Sequence, residues 1–218
     1  MSTPGERHIT QSADGSTTLW VPGLDEHYHS IHGALTESRH VFIEAGLKAI
    51  EKSTIRILEV GLGTALNARL TLEQSHQDGT AIEYDALEKY PLTPKEIETM
   101  GRKGLRKEAP FLNATPRAVT HISEKFNFRL LVEDVKTFKG EQGAYDLIYF
   151  DAFAPSAQPD LWTDEIFKNM YDLLKPGGAL VTYCAKGVVK RSMKASGFEV
   201  EALPGPPRKR EMTRAWKR

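Results

Sequence analysis

A chain of 218 residues, 40 % of them hydrophobic, is long enough to bury one substantial core. Lys plus Arg total 29 and so do Asp plus Glu, so no global field draws a polyanion, and such a partner would need a local basic patch. The single cysteine, Cys184, excludes an internal disulfide and any multi-cysteine metal site; it lies in an apolar run and reads as a small buried thiol. No apolar run reaches the length of a bilayer span and the N-terminus lacks the apolar stretch of a signal peptide, so a cytoplasmic protein is expected.

Taken in order, Ile9 to Val21 holds two strand-like runs joined by Asp14-Gly15, which predicts a β-hairpin. Residues 1–35 read as a hairpin and loop extension, and residues 36–218 as the main domain of one compact unit. His27, His29 and His32 fit no common ligand spacing, and no metal is expected. Thr36 to Glu51 carries a helical apolar stripe. Ile55, Ile57, Leu58 and Val60 then form a short apolar run that stops at Gly61-Leu62-Gly63, with a helix expected from Ala65 to Gln74. Thr80 to Lys89 is a second strand, and Pro94 after Thr93 marks a helix start. Residues 92–128 are otherwise hard to read. Strands are expected at Phe128–Val132, Tyr145–Asp151 and Ala179–Ala185. Helices are expected from Asp160 to Leu174, stopped by Pro176-Gly177-Gly178, and from Val188 to Ser196. Phe198–Ala202 and Thr213–Trp216 would close the chain as an antiparallel hairpin. Strands alternating with helices predict an α/β fold with a mostly parallel sheet covered on both faces.

The strand, glycine turn and helix at Thr54 to Asn67 would let a small molecule lie against bare backbone at Gly61 and Gly63. A dinucleotide fingerprint needs glycine at position 66, where Leu66 stands. Glu59-x-Gly61-x-Gly63 instead resembles the first motif of S-adenosylmethionine-dependent methyltransferases, with Ala65 where a third glycine is usual, and implies their Rossmann-like fold. In an open α/β sheet ligands gather at the carboxyl ends of the strands, and here Gly61 to Gly63, Glu88, Asp134 and Asp151 all stand at such ends. Glu88 suits two ribose hydroxyls, whereas Glu83 and Asp85 fall inside the strand. Asp134 suits an adenine amino group, or else caps the following helix.

Asp151-Ala-Phe153-Ala-Pro155 offers a carboxylate beside a flat apolar wall on a stiff turn, reminiscent of the Asp-Pro-Pro-Tyr turn of amino methyltransferases. Methyl transfer from a sulfonium is an in-line displacement in which positioning matters most. With an ordinary carboxylate pKa, Asp151 is expected to orient an amine rather than deprotonate it.

Four blocks, Gly61-Leu-Gly-Thr-Ala-Leu-Asn67, Glu88-Lys-Tyr-Pro-Leu-Thr93, Asp151 to Thr163 and Arg208-Lys-Arg-Glu-Met212, resemble the methyltransferase part of the bacterial tRNA wobble-uridine modification enzymes of the MnmC family. The resemblance implies N-methylation of 5-aminomethyl-(2-thio)uridine at tRNA position 34. It implies S-adenosyl-L-methionine held by Glu59, Gly61, Gly63, Thr64, Asn67, Glu88, Lys89, Asp134 and Asp151, with Asp151, Phe153 and Pro155 at the reacting end. Arg208, Lys209, Arg210 and Glu211 would meet the tRNA, with phosphates neutralised by the basic loop. Tyr28, Phe153 and Trp162 are candidates to stack on the wobble base, although Trp162 reads equally as a core anchor, and Glu37 and Arg39 would line the entrance. Family enzymes usually carry an FAD-dependent oxidase domain; no FAD is expected in these residues, and a separate oxidase or aminomethyl-forming route would supply the substrate. Two other readings use the same fold: a small-molecule amine methyltransferase or aminopropyltransferase, whose cationic substrates the basic loop would repel, and a non-catalytic tRNA-binding module.

Overall fold

The structure, a computed structural model, describes residues 6–12, 17–28 and 33–218. Eight strands make the main sheet: β4 (Thr54–Val60), β5 (Ala81–Leu87), β6 (Val119–Ser123), β7 (Phe126–Leu131), β8 (Tyr145–Phe150), β9 (Leu174–Thr182), β10 (Glu199–Pro204) and β11 (Glu211–Trp216). Their order across the sheet is β10-β11-β9-β8-β4-β5-β7-β6. Strands β7, β5, β4, β8 and β9 run parallel, while β6 and the β10–β11 hairpin add antiparallel edges. The chain steps outward from β4 to β5 and β7 and then returns to the other side of β4, so strand order reverses between β4 and β8. A crevice opens at such a reversal.

Period-two alternation divides the core. Ile55, Ile57, Leu147 and Tyr149 pack on one face with Phe42, Leu66 and Phe111, while Leu58, Val60, Ile148 and Phe150 pack on the other with Phe167 and Met170. Every residue of β8 is buried, as a central parallel strand requires.

Helix α2 (Leu66–Asp78) follows β4 and ends on Gly79 at φ 77°. Helix α3 (Pro94–Arg102) begins with a capping box in which the Glu96 N–H donates to Thr93 Oγ1 at 3.3 Å and the Thr93 N–H donates to Glu96 at 2.7 Å, as the Thr93-Pro94 pattern predicts. Helix α4 (Asp164–Leu173) starts later than Asp160, because Pro159–Leu161 forms its own 3₁₀ turn and Thr163 supplies the cap.

Several expected boundaries are corrected. Thr36 to Glu51 is a composite of helix α1 (Ala34–Ser38), a π-helical turn at Arg39–Glu44 and a 3₁₀ turn at Leu47–Ala49. Gly46 explains the break, since a Cβ there would fall 2.5 Å from the Phe42 carbonyl oxygen. Pro176-Gly177-Gly178 lies within β9, in a bulge opposite Tyr145 and Leu147, rather than stopping a helix. Strand β6, in the poorly readable stretch, was not expected; its alternation is concealed by half-exposed residues.

The N-terminal pair β1 (His8–Gln11) and β2 (Thr17–Val21) is antiparallel as expected, and β3 (Glu26–His27) adds a third strand. The Asp14-Gly15 turn, His29 and His32 lie outside the described residues. This small sheet is fastened to the main domain by Arg7, whose guanidinium donates to the Tyr90 carbonyl at 2.8 Å and reaches Glu96 at 3.3 Å. Among the described residues no helix is long and apolar enough to cross a membrane.

Candidate active site

A cavity of about 650 Å³ opens at the carboxyl ends of β4, β5, β7 and β8, within the size range of small-molecule sites. Its floor holds Gly61, Gly63, Glu88, Lys89, Asp134, Asp151 and Phe153, and Tyr28, Glu37 and Lys209 close it from above.

The glycine turn is tight for two separate reasons. Gly61, at φ 91°, passes so close to β8 that a Cβ would lie 2.6 Å from the Asp151 carbonyl oxygen. Gly63, at φ 53°, sits under the Tyr28 ring, 2.8 Å from where its Cβ would be. The Tyr28 ring therefore covers one side of the Gly63 backbone, which still lines the cavity. Ala65, at φ 64° and ψ 25°, takes the left-handed conformation that the missing third glycine would adopt freely.

Glu88 is pinned by two backbone donors, Gly63 N–H at 3.2 Å and Tyr90 N–H at 2.8 Å, one to each carboxylate oxygen. Each oxygen keeps a further acceptor site for a hydroxyl. Asp134 accepts from Lys89 Nζ at 2.8 Å and from the Lys136 N–H at 3.0 Å, so it is an ion-paired turn cap at the cavity wall. Burial alone would raise its pKa, but the Lys89 ammonium and the Lys136 N–H lower it overall.

At the other end Asn67 joins two carboxyl groups. Its amide nitrogen lies 2.8 Å from Glu59 Oε1 and 2.8 Å from Asp151 Oδ2. Glu59 faces α2, as the alternation of β4 dictates, and also accepts from the Tyr84 hydroxyl at 2.9 Å. Full burial, reinforced by the neighbouring Asp151, raises the Glu59 pKa well above the usual range. Asp151, which reaches the cavity, is pushed up to about 7 by burial despite the Asn67 hydrogen bond. This corrects the expectation of an ordinary carboxylate: Asp151 can exchange a proton near neutral pH.

The aromatic wall is built from separate parts of the chain. Tyr28 meets Phe153 edge to face at 5.2 Å, and the Tyr183 hydroxyl donates to the Ala152 carbonyl at 2.9 Å. Trp162 is buried, packs on Phe150 and donates to the Phe153 carbonyl at 2.9 Å, so it holds the turn and does not face a base. Tyr183 was missed in the sequence; it stands just past the end of β9, where the strand-end rule that picked the other positions also applies.

The remaining expected residues lie outside the cavity lining. Glu59, Thr64 and Asn67 are buried beneath the glycine turn, and Pro155 shapes the turn without facing the cavity. Arg39 reaches Glu73 at 3.6 Å, and Glu211 pairs with Lys190 at 2.7 Å. Arg208, at φ 73°, and Arg210 are exposed at the loop tip. Lys209 was expected to neutralise phosphate, but it is paired with Glu37 at 2.7 Å.

These residues fit a nucleoside-bearing sulfonium cofactor: a carboxylate at Glu88 with acceptor sites to spare for hydroxyls, an acidic strand end at Asp134, and glycine backbone at Gly61 in the cavity lining.

The family model for S-adenosyl-L-methionine-dependent methyltransferases matches residues 96–218. Among curated relatives, the "tRNA 5-methylaminomethyl-2-thiouridine biosynthesis bifunctional protein MnmC" of Leptospira interrogans is 30 % identical over 207 residues, which cover 87 % of this chain and 32 % of that protein. The protein of the same description from Cupriavidus metallidurans is 31 % identical over 222 residues, covering 93 % and 32 % respectively. The chain thus spans about a third of the length of the curated relatives it matches. The crystal structure of MNMC2 from Aquifex aeolicus superimposes with a TM-score of 0.79 at 26 % identity, covering 98 % of this chain and 71 % of that one. Spermidine synthase from Thermotoga maritima, at 15 % identity and a TM-score of 0.61, shares the fold alone.

Proposed function

This chain belongs to the family of S-adenosyl-L-methionine-dependent methyltransferases, and from that premise we propose that it methylates the exocyclic amine of 5-aminomethyl-(2-thio)uridine at position 34 of tRNA, giving 5-methylaminomethyl-(2-thio)uridine. The observation that carries this reading is the position of Asp151 just past the end of β8, where its carboxyl lines the same cavity as the Phe153 and Tyr28 rings, which meet at 5.2 Å. When bound, S-adenosyl-L-methionine supplies an electrophilic methyl group on a sulfonium. Glu88 would accept from the ribose hydroxyls and Asp134 would meet the adenine, with Gly61, Gly63 and Lys89 lining the same cavity.

Asp151 accepts the proton that the amine must lose. An alkylammonium of pKa about 10 lies roughly three units above a carboxyl at about 7, against more than six above an ordinary aspartate. The uphill transfer thus costs roughly 4 kcal/mol less than with an unperturbed carboxyl. Loss of that proton to Asp151 would leave the nitrogen a free lone pair, to which the bound cofactor would supply its methyl group. Phe153 and Tyr28 provide flat faces for the uracil ring. Arg208 and Arg210, exposed at the loop tip, meet phosphates of the anticodon loop. The aminomethyl group would be supplied by an FAD-dependent oxidase or by another aminomethyl-forming route, as the resemblance implies.

The test is methyl transfer from labelled S-adenosyl-L-methionine to tRNA bearing 5-aminomethyluridine, read by nucleoside mass analysis, with free polyamines as parallel acceptors. Label in 5-methylaminomethyluridine is expected. Label in the polyamines alone, or none despite cofactor binding, would overturn the reading.

A further inference from the structure

The clasp over the cavity places a protein ammonium beside the reacting end. The loop from Pro204 to Glu211 is compact: Gly205 N–H donates to the Arg210 carbonyl at 3.2 Å and Lys209 N–H to the Pro206 carbonyl at 2.9 Å. His40 joins the loop to the segment after α1 through the Pro204 carbonyl at 2.8 Å. The loop carries Lys209 inward, where Nζ lies 2.7 Å from Glu37 Oε1 and 4.8 Å from the centre of the Tyr183 ring. Glu37, Tyr183, Lys209 and Asp151 all line the same cavity. The Glu37 side chain is only 17 % exposed, so its charge needs a cation close by.

A carboxylate on one side and an aromatic face on the other is a receptor for a primary alkylammonium. A phosphate is the wrong ligand for Lys209 in this setting, since it would have to break the ion pair and then face the Glu37 charge. We propose that Glu37 and Tyr183 form the subsite for the substrate's aminomethyl group in its cationic form, and that Lys209 fills this subsite as an internal stand-in which the substrate displaces. The substrate class, a primary amine on a methylene carried by a flat ring, rests on the function proposed above; the cation subsite itself requires only an alkylammonium.

Displacement has a thermodynamic consequence. While Lys209 occupies the subsite, only the fraction of molecules with the loop withdrawn can accept an amine, so the apparent affinity is reduced by that fraction. The amine then passes from Glu37 to Asp151, where its proton is removed, and the withdrawn loop leaves Lys209 outside. For an amine that carries no phosphate, a phosphate-binding Lys209 predicts no change on loss of the lysine, and a purely structural clasp predicts weaker binding.

The experiment is calorimetric binding of 5-aminomethyluridine nucleoside, and in parallel of putrescine, to the protein saturated with S-adenosylhomocysteine. Wild type, Lys209→Met and Glu37→Gln are compared. Lys209→Met should tighten amine binding by about tenfold, as removal of an internal competitor requires, while Glu37→Gln should weaken it by about tenfold or more. Weaker or unchanged amine binding in Lys209→Met, including no binding in either protein, would overturn the proposal. Tightening for putrescine but not for the nucleoside would keep the cation subsite and count against the tRNA reading, so the two fail separately. As a second readout, the salt dependence of tRNA binding should be unchanged in Lys209→Met; a shallower slope would assign the lysine to phosphate and overturn its role as a stand-in.

Discussion

The floor of the cavity, from Gly61 through Glu88 and Asp134 to Asp151, is made of the carboxyl ends of neighbouring parallel strands, whereas its roof of Tyr28, Glu37 and Lys209 is gathered from the two ends of the chain. The floor is fixed by ladder hydrogen bonds and a core packed on both faces of the sheet. The roof is held by a few polar clasps, Arg7 to Tyr90, His40 to Pro204 and Lys209 to Glu37. A rigid floor suits a cofactor that is the same at every turnover. A clasped roof suits a substrate that has to enter and leave, and it divides the labour: floor variants should change chemistry and cofactor affinity, and roof variants should change how the acceptor is admitted.

The largest effect expected belongs to the floor. Asp151→Asn removes the proton acceptor while keeping the side-chain volume, and should lower kcat by about 10²–10⁴-fold with cofactor affinity nearly intact. In the wild type kcat/KM should climb with pH through about 7 as Asp151 ionises, and Asp151→Asn should lose that limb. Single-turnover methyl transfer across pH 5 to 9 reads both. An unchanged acid limb in the variant would assign it to another group.

The same substitution should change stability in the opposite direction. Burial raises the Asp151 pKa from its ordinary 3.8 to about 7, so the folded protein holds this proton more tightly than the unfolded chain does. The stabilisation is complete below about pH 4 and is lost as pH rises to about 7, where the charge must be carried in a buried site. Three units correspond to about 4 kcal/mol at most, and contact with solvent in the open cavity reduces that to about 2. Asp151→Asn should therefore unfold at higher denaturant than wild type at pH 8 and at nearly the same denaturant at pH 4. Equal midpoints at both pH values would show that Asp151 carries no buried charge.

Much of the floor was legible in the sequence. A strand end is a local event, written as an apolar run followed by a polar or glycine position, and the rule found Gly61, Gly63, Glu88, Asp134 and Asp151. The mostly parallel sheet and both hairpins followed from the same patterning. The roof was not legible in that way. Lys209 and Glu37 are 172 positions apart, and no spacing rule brings them together. Residue type was silent as well: a run of basic residues in a loop reads as a phosphate contact, and nothing local reports that Lys209 pairs inward with Glu37. Local cues also failed for Asp151, because an aspartate's pKa depends on burial that its neighbours in sequence do not report. Strand β6 was hidden because an edge strand with half-exposed residues carries little alternation.

Paired substitutions would sharpen the division between the two halves. Glu88→Ala removes a carboxylate held by two backbone donors and should weaken S-adenosylhomocysteine binding by about ten- to a hundredfold, or 1.5–3 kcal/mol. Tyr28→Ala removes the ring packed on Phe153 and over Gly63, and should raise the acceptor KM by about tenfold while kcat falls less. Calorimetry for the first and initial rates with varied tRNA for the second would separate them. An equal loss of cofactor affinity in Tyr28→Ala would show that the N-terminal sheet belongs to the floor.

The smallest effect is expected at Ala65, where the motif departs from its usual glycine. Its left-handed backbone costs an alanine about 1–2 kcal/mol that glycine would not incur. Ala65→Gly relieves this strain, but it raises the entropy of the unfolded chain by about 0.4–1 kcal/mol and gives up a buried methyl worth about 0.8 kcal/mol. These terms nearly cancel, so the unfolding free energy should stay within about 1 kcal/mol of wild type. At a buried position with right-handed backbone only the two unfavourable terms would remain, and the same substitution would cost nearly 2 kcal/mol. A loss of that size would mean that Ala65 is not held left-handed. A neutral result means that the floor accommodates alanine through backbone geometry alone, leaving the cofactor end of the cavity intact.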